Sequence, residues 1–236
     1  MNPDAADPAV DGGPLDDAPW PDKLKARVTT PGPDPAIHGY AVEGDLARHY
    51  GLAEGVLLAL TGELPAVEQA AAFEVAFHFL SPAPVNEAPA HAAVVARICD
   101  VTTSAMAGTA AIALAEQAHA VVGAHAGLLA ELGAGKGAGA GAWAAADDEE
   151  RASVARLRAA LRERGVVLAS LEADVGRMPA LLATLWFAGL TRAEPIEAAL
   201  TLARLPAALA EAFATPSHSY RDYPVLLPPV SYRDPP

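Results

Sequence analysis

Cysteine is almost absent: Cys99 stands alone, so neither an intramolecular disulfide framework nor a multi-cysteine zinc or iron–sulfur centre can form. Lysine is nearly as scarce, limited to Lys23, Lys25 and Lys136, and 16 Lys+Arg face 29 Asp+Glu for a formal net charge of -13. Nucleic acid and anionic membrane surfaces both require clustered cations, so neither is expected as the main partner. Any local anion site must rely on arginine. The first residues lack a basic stretch followed by an apolar run, and no secretory signal is expected. No run of about 18 apolar residues is free of polar interruption, so no membrane span is expected either. These absences point to a soluble, cytoplasmic protein.

What the chain does have is length and apolar mass. Its 236 residues are 52% hydrophobic, enough to bury a core and to exclude wholesale disorder. Residues 1–35 carry Pro3, Pro8, Pro14, Pro19, Pro21, Pro31, Pro33 and Pro35 and read as a flexible tail, with Trp20 as its one large anchor. From Ile37 the signals are helical. Asp45 is expected to cap a short helix ended by Gly51, and a second runs over 52–60 to Gly62. Pro65 suits the first turn of a third, whose stripe is Phe73, Ala76, Phe77 and Leu80. Residues 81–84, Ser-Pro-Ala-Pro, break it.

The pattern then predicts a helix over 89–100 with Val94, Val95 and Ile98 inward. A helix over 102–132, apolar nearly all round, is expected to be central and buried. Residues 133–141 alternate glycine with small residues and read as a joint. Asp147-Asp-Glu-Glu150 opens a helix with acid at its positive end, and Arg162 and Arg164 close it. Pro179 begins another, and Thr191 with Glu194 form a capping box for the last. Pro206 is expected to bend or break that helix. The fold class is all-α. The expected organisation is a tail (1–35), a large lobe's first part (36–132), a linker (133–146), remaining helices with a reduced small lobe (147–205), and a C-terminal helix with an extended end (206–236).

Sites with local signatures are few. Lys136 in its glycine run is no phosphate loop, because Ala130 stands at the motif's first glycine and Gly137 at its Ser/Thr. No HExxH or GxSxG occurs. His119 and His125 lie about 240° apart around a helix, which disfavours a shared metal. Glu74 and His78 read as a surface i,i+4 pair. Cys99 reads as core rather than nucleophile.

The order of motifs goes further. Ile37-His-Gly-Tyr-Ala-Val-Glu-Gly-Asp-Leu46, followed by Leu57-Leu-Ala-Leu-Thr-Gly-Glu-Leu-Pro65, resembles the start of the citrate synthase superfamily, which includes citryl-CoA lyases. Asn86 to Arg97 resembles the segment where that family carries an Asp-His pair before a helix ending Ala-Arg. The 102–132 segment resembles its buried helix leading to a His-Gly-Gly loop. Ala203-Arg204 resembles a late Ala-Arg, and Val230-Ser-Tyr232 the terminal Pro-x-x-x-Tyr. The resemblance implies a multi-helical fold with a large and a reduced small lobe, assembled as a homodimer. It also implies carbon–carbon bond formation or cleavage between an acyl-CoA and a keto acid or citrate-like acid. No cofactor is permanently bound; a coenzyme A thioester is the implied substrate. No metal is implied.

The family pattern is altered at its catalytic places. Asn86 and Glu87 replace the Asp-His pair, Glu116-Gln-Ala-His119 replaces the glycine-rich histidine loop, and Met178-Pro179 occupies the region of the catalytic aspartate. Glu211 stands near the late histidine, and Leu227 near the last arginine. The resemblance therefore assigns His119 to hold the enol or polarise the ketone, and Glu87 or Glu211 to move the proton. Arg204 and Arg97 are assigned to the carboxylate. Clustering of Glu87, Glu116 and Glu211 would supply an acid and a base, since neighbouring carboxylates split their pKa values. Two further readings stand beside this one: a catalytically inactive relative serving as a dimeric scaffold or ligand-binding regulator, and an alanine-rich bundle unrelated to the family.

Overall fold

The computed structural model describes residues 26–135, 143–171 and 173–217. Trp20, Lys136, most of the glycine joint, His218, Leu227 and the terminal Val230–Tyr232 motif lie outside the described residues.

Three two-residue strands open the described chain: β1 (Thr29–Thr30), β2 (Ala36–Ile37) and β3 (Tyr40–Ala41), antiparallel in the order β1-β2-β3. Ile37 pairs with Tyr40 across His38-Gly39. Both turn residues have positive φ, 48° and 88°. That is the type I′ geometry whose twist matches the strands it joins. Strand pairing thus begins at Thr29, inside the proline-rich segment. The next turn, Val42–Leu46, is π-helical and leads into the one-turn α1 (Ala47–His49). Its cap comes from Asp34, whose carboxylate accepts the Glu43 and Gly44 N–H groups at 2.9 Å each. Asp45, the expected cap, lies within the turn itself.

Helix α2 (Leu52–Thr61) ends as expected at Gly62, whose φ of 85° few other residues adopt comfortably and whose N–H returns to the Leu58 carbonyl at 2.8 Å. Helix α3 (Val67–Leu80) begins two residues after Pro65, because Gln69 caps it instead by accepting the Ala66 N–H at 2.8 Å. Phe73, Ala76 and Leu80 are buried and Phe77 half-buried. Glu74 pairs with Arg164 rather than His78.

Helix α4 (Ala88–Ile98) keeps Val94 of its expected inward face packed half-buried against the smaller core and Ile98 half-buried, but not Val95. Ala90 and Ala93 are fully buried, while Val95 is 44% exposed. Cys99, just past its end, is exposed. The expected 102–132 helix is two, α5 (Thr103–Ala124) and α6 (Ala126–Gly133), parted at His125, whose Nδ1–H donates to the Val121 carbonyl at 2.8 Å. Helix α5 is not the buried centre. It buries one residue in four (Met106, Ala110, Leu114, Ala118 and Val122) and leaves Ile112 68% exposed. Contrary to expectation, α5 is long and apolar enough to cross a membrane by length and composition, with 28% of its apolar window buried.

Helix α7 (Asp148–Glu163) starts where its acids predict. Asp147 accepts the Glu150 N–H at 2.8 Å, and Glu150 reaches back to the Ala146 N–H at 2.9 Å. After a 3-10 turn (Ala169–Leu171) comes α8 (Arg177–Phe187), the true centre, buried without interruption from Pro179 to Leu185. The Thr184 hydroxyl satisfies itself by donating to the Ala180 carbonyl at 2.8 Å. Helix α9 (Ala193–Ala214) takes Arg192, not Thr191, as N-cap. It continues through Pro206. That proline is exposed, and the carbonyl it cannot serve belongs to Leu202, itself 42% exposed, so the lost hydrogen bond falls on the solvent side.

Buried residues form two clusters. The larger gathers α2, α3, α6, α7, α8, the end of α5 and the start of α9. The smaller is built almost wholly of alanine, with Ala90, Ala93, Ala110, Ala208 and Ala212 around Met106 and Leu114. It joins α4, the first half of α5 and the second half of α9. The fold is all-α apart from the small sheet.

Candidate functional site

The Ser-Pro-Ala-Pro break after α3 cannot continue a helix, so the chain crosses over the α5–α9 pair before α4 begins. This crossing places the Pro82 carbonyl and the Glu87 side chain beside Arg204 of α9. Gln117 approaches from α5, beside the buried stripe of Leu114 and Ala118. Arg204 donates from Nε to the Pro82 carbonyl at 3.3 Å and from Nη1 to Gln117 Oε1 at 3.0 Å. Its Nη2 is ion-paired with Glu87. The Arg204 side chain is only 18% exposed, against 37% for Glu87.

These groups line one wall of a cavity of about 680 Å³, whose other walls are Phe79, Leu114, Val121, Met178, Leu181 and Leu200 with a second couple of charged residues, Glu150 and Arg177. The volume is that of a small-molecule site. A second cavity of about 550 Å³ adjoins it, sharing Phe79, Pro82, Glu150 and Arg177 and adding His78, Ser153 and Arg156. Arg177 is fixed by donating to the Phe79 carbonyl at 2.8 Å.

The donor count sets what the wall can do. A guanidinium has five N–H donors. Pro82, Gln117 and Glu87 take three of them, one each on Nε, Nη1 and Nη2, so one further N–H remains on each terminal nitrogen. Because Gln117 accepts from Arg204 through Oε1, its amide NH₂ is turned outward as a neutral donor. The wall around Arg204 is therefore donor-rich, with one carboxylate on its guanidinium.

Of the residues assigned from sequence, Glu87 and Arg204 are in contact at this wall. The others lie elsewhere. His119 is 76% exposed on the flank of α5, where its Nδ1–H donates to Glu197 Oε1 at 3.0 Å. Glu211 is exposed, and its backbone carbonyl accepts the Thr215 hydroxyl at 2.9 Å. Arg97 donates to the Thr215 carbonyl at 3.4 Å, tying the end of α4 to the end of α9. Glu116 is exposed, so Glu87 is the one acid of the three that lines the cavity. Gln117, Arg177 and the Pro82 carbonyl were not singled out. For Gln117 a signal existed: a polar side chain three residues after Leu114 and adjacent to Ala118 must border the buried stripe. No group of three or more metal-ligating side chains occurs among the described residues.

No family model matches the sequence, and no curated protein matches it. Among solved structures, citryl-CoA lyase from Hydrogenobacter thermophilus superposes with a TM-score of 0.62 over 90% of this chain and 97% of that one, at 14% sequence identity. An all-α chain with a citrate synthase-like fold thus places Arg204, Glu87 and Gln117 at one cavity wall.

Proposed function

We propose that the protein is citrate synthase/citryl-CoA lyase-like in what it binds: a citrate-like acid or keto acid together with an acyl-CoA. Arg204 anchors the carboxylate and Gln117 donates to a neighbouring oxygen. The observation that carries this reading is Arg204 held in place by two neutral acceptors at the wall of a ligand-sized cavity. Charge-assisted bonds to a carboxylate are strongest where water is scarce, and Arg204 is mostly shielded. Carbon–carbon bond formation or cleavage at this site would fall to Glu87 as the proton-moving group. The second reading is a relative that binds without turnover. It is favoured by the outward positions of His119 and Glu211, which leave no histidine in the described lining of the cavity to hold an enolate.

Calorimetry with citrate and with acetyl-CoA tests the first reading, with Arg204→Ala expected to weaken citrate binding at least tenfold. Equal citrate affinity in wild type and Arg204→Ala would remove it. Proton NMR of citryl-CoA, or of acetyl-CoA with oxaloacetate, separates the two readings, because turnover above the enzyme-free rate excludes the second.

We further propose a homodimer through the uncovered side of α5. Ile112 and the small residues around it would otherwise leave an apolar helix face in water. Light scattering at micromolar concentration should report about twice the 24.1 kDa chain mass. A monomer, together with an unchanged elution volume for Ile112→Glu, would refute it.

A further inference from the structure

We infer that Glu87 is a built-in competitor for the anion site, a tethered carboxylate that occupies Arg204 until a ligand carboxylate displaces it. The inference rests on the reading of Arg204 as the anion anchor and adds how that anchor is gated.

The three acceptors on Arg204 are unequal. Pro82 offers a backbone carbonyl fixed by the chain break, and Gln117 an amide on a rigid helix. Both are neutral, and together they hold Nε and Nη1. Glu87 alone brings a charge. A ligand carboxylate seated beside it on Arg204 would put two negative groups on one guanidinium that is mostly shielded from water, where like charges repel strongly. One carboxylate must leave, and only one is free to do so.

The local structure lets Glu87 go without disturbing the fold. Its backbone is committed: its N–H donates to the Pro84 carbonyl and its carbonyl accepts the His91 N–H, both at 2.9 Å. Its side chain makes no N-cap bond to α4. Val85 and Asn86 before it are exposed, and the Glu87 side chain is twice as exposed as that of Arg204. Rotation about its side-chain bonds frees the carboxylate from Arg204 while the backbone stays fixed at the cavity wall, so Glu87 remains beside the ligand. Arg204 meanwhile stays aligned by Pro82 and Gln117, so the ligand meets a preorganised guanidinium. The exchange trades one charge-assisted pair for another, which keeps affinity moderate and reversible.

The experiment compares citrate binding by calorimetry in wild type, Glu87→Gln, Glu87→Asp and Arg204→Ala. Glu87→Gln keeps shape and removes charge, and should tighten citrate binding about tenfold or more. Glu87→Asp keeps the charge but shortens the reach, and should tighten it by a smaller factor. That variant decides the matter if Glu87→Gln fails to fold. Unchanged or weaker binding in both Glu87 variants, with Arg204→Ala still losing citrate, would overturn the competitor and leave the anion anchor standing. No citrate binding by wild type or either Glu87 variant would overturn both.

Discussion

Leu185→Ala should lower unfolding stability by about 3–4 kcal/mol, with a fall in Tm on the order of 10 °C for a chain of this size. Leu185 is fully buried in the last turn of α8, the helix that α3, α6, α7 and α9 all contact. Truncation forfeits the transfer free energy of the removed carbons and leaves a cavity between packed helices that cannot collapse into it. Phe187→Ala, two residues on, supplies the contrast. That ring is larger but 38% exposed, so its loss should cost less than half as much. Urea denaturation followed by helical circular dichroism measures both. If the two substitutions cost the same, α8 is not the buried centre, and the cavity wall formed by Leu181 and Met178 on that helix loses its support.

Such a result would also bear on which parts of the molecule the sequence discloses. Local rules worked where a single residue decides the backbone. Gly62 ends α2 because a left-handed residue must follow the last turn, and Asp147 starts α7 because its carboxylate accepts the free Glu150 N–H of the first turn. They failed where burial depends on what lies opposite. Alanine is indifferent to exposure, so an alanine-rich helix such as α5 does not disclose its inward face by composition. By apolar content alone the buried centre belongs in α5, the more uniformly apolar stretch. It lies in α8, where Pro179 and Leu181–Leu182 crowd together. Capping showed the same limit: Asp34 reaches Gly44 from ten residues away, whereas the nearer Asp45 does not cap.

The candidate site divides along the same line. Arg204 and Glu87 lie more than a hundred residues apart in the chain, and the family resemblance singled out both. Their mutual contact could not be read, because it depends on how α4 and α9 pack. His119 matches the resemblance by its chemistry alone, as the histidine that stands at the family's loop. Burial decides against that position: its ring lies on the flank and engages Glu197. Gln117, two residues earlier, takes the inward place.

Ala110→Leu is the sharpest test of that packing. Ala110 is fully buried where α4, α5 and α9 converge, facing other alanines such as Ala93 and Ala208. Alanine at each facing position lets helix axes approach to about 8 Å, the close end of the usual range. The three added carbons of leucine have no void to enter, so the helices must separate or the side chain must leave its preferred rotamer. Overpacking of this kind should cost about 2–3 kcal/mol. Helix propensity does not offset it, since leucine is close to alanine on that scale. Ala115→Leu makes the identical change on the exposed side of the same helix and should shift stability by less than about 0.5 kcal/mol. Urea midpoints for the pair are the measurement. Equal, small effects would mean that α5 does not meet α4 and α9 through alanine. Gln117, two turns further along α5, would then have no reason to lie within reach of Arg204.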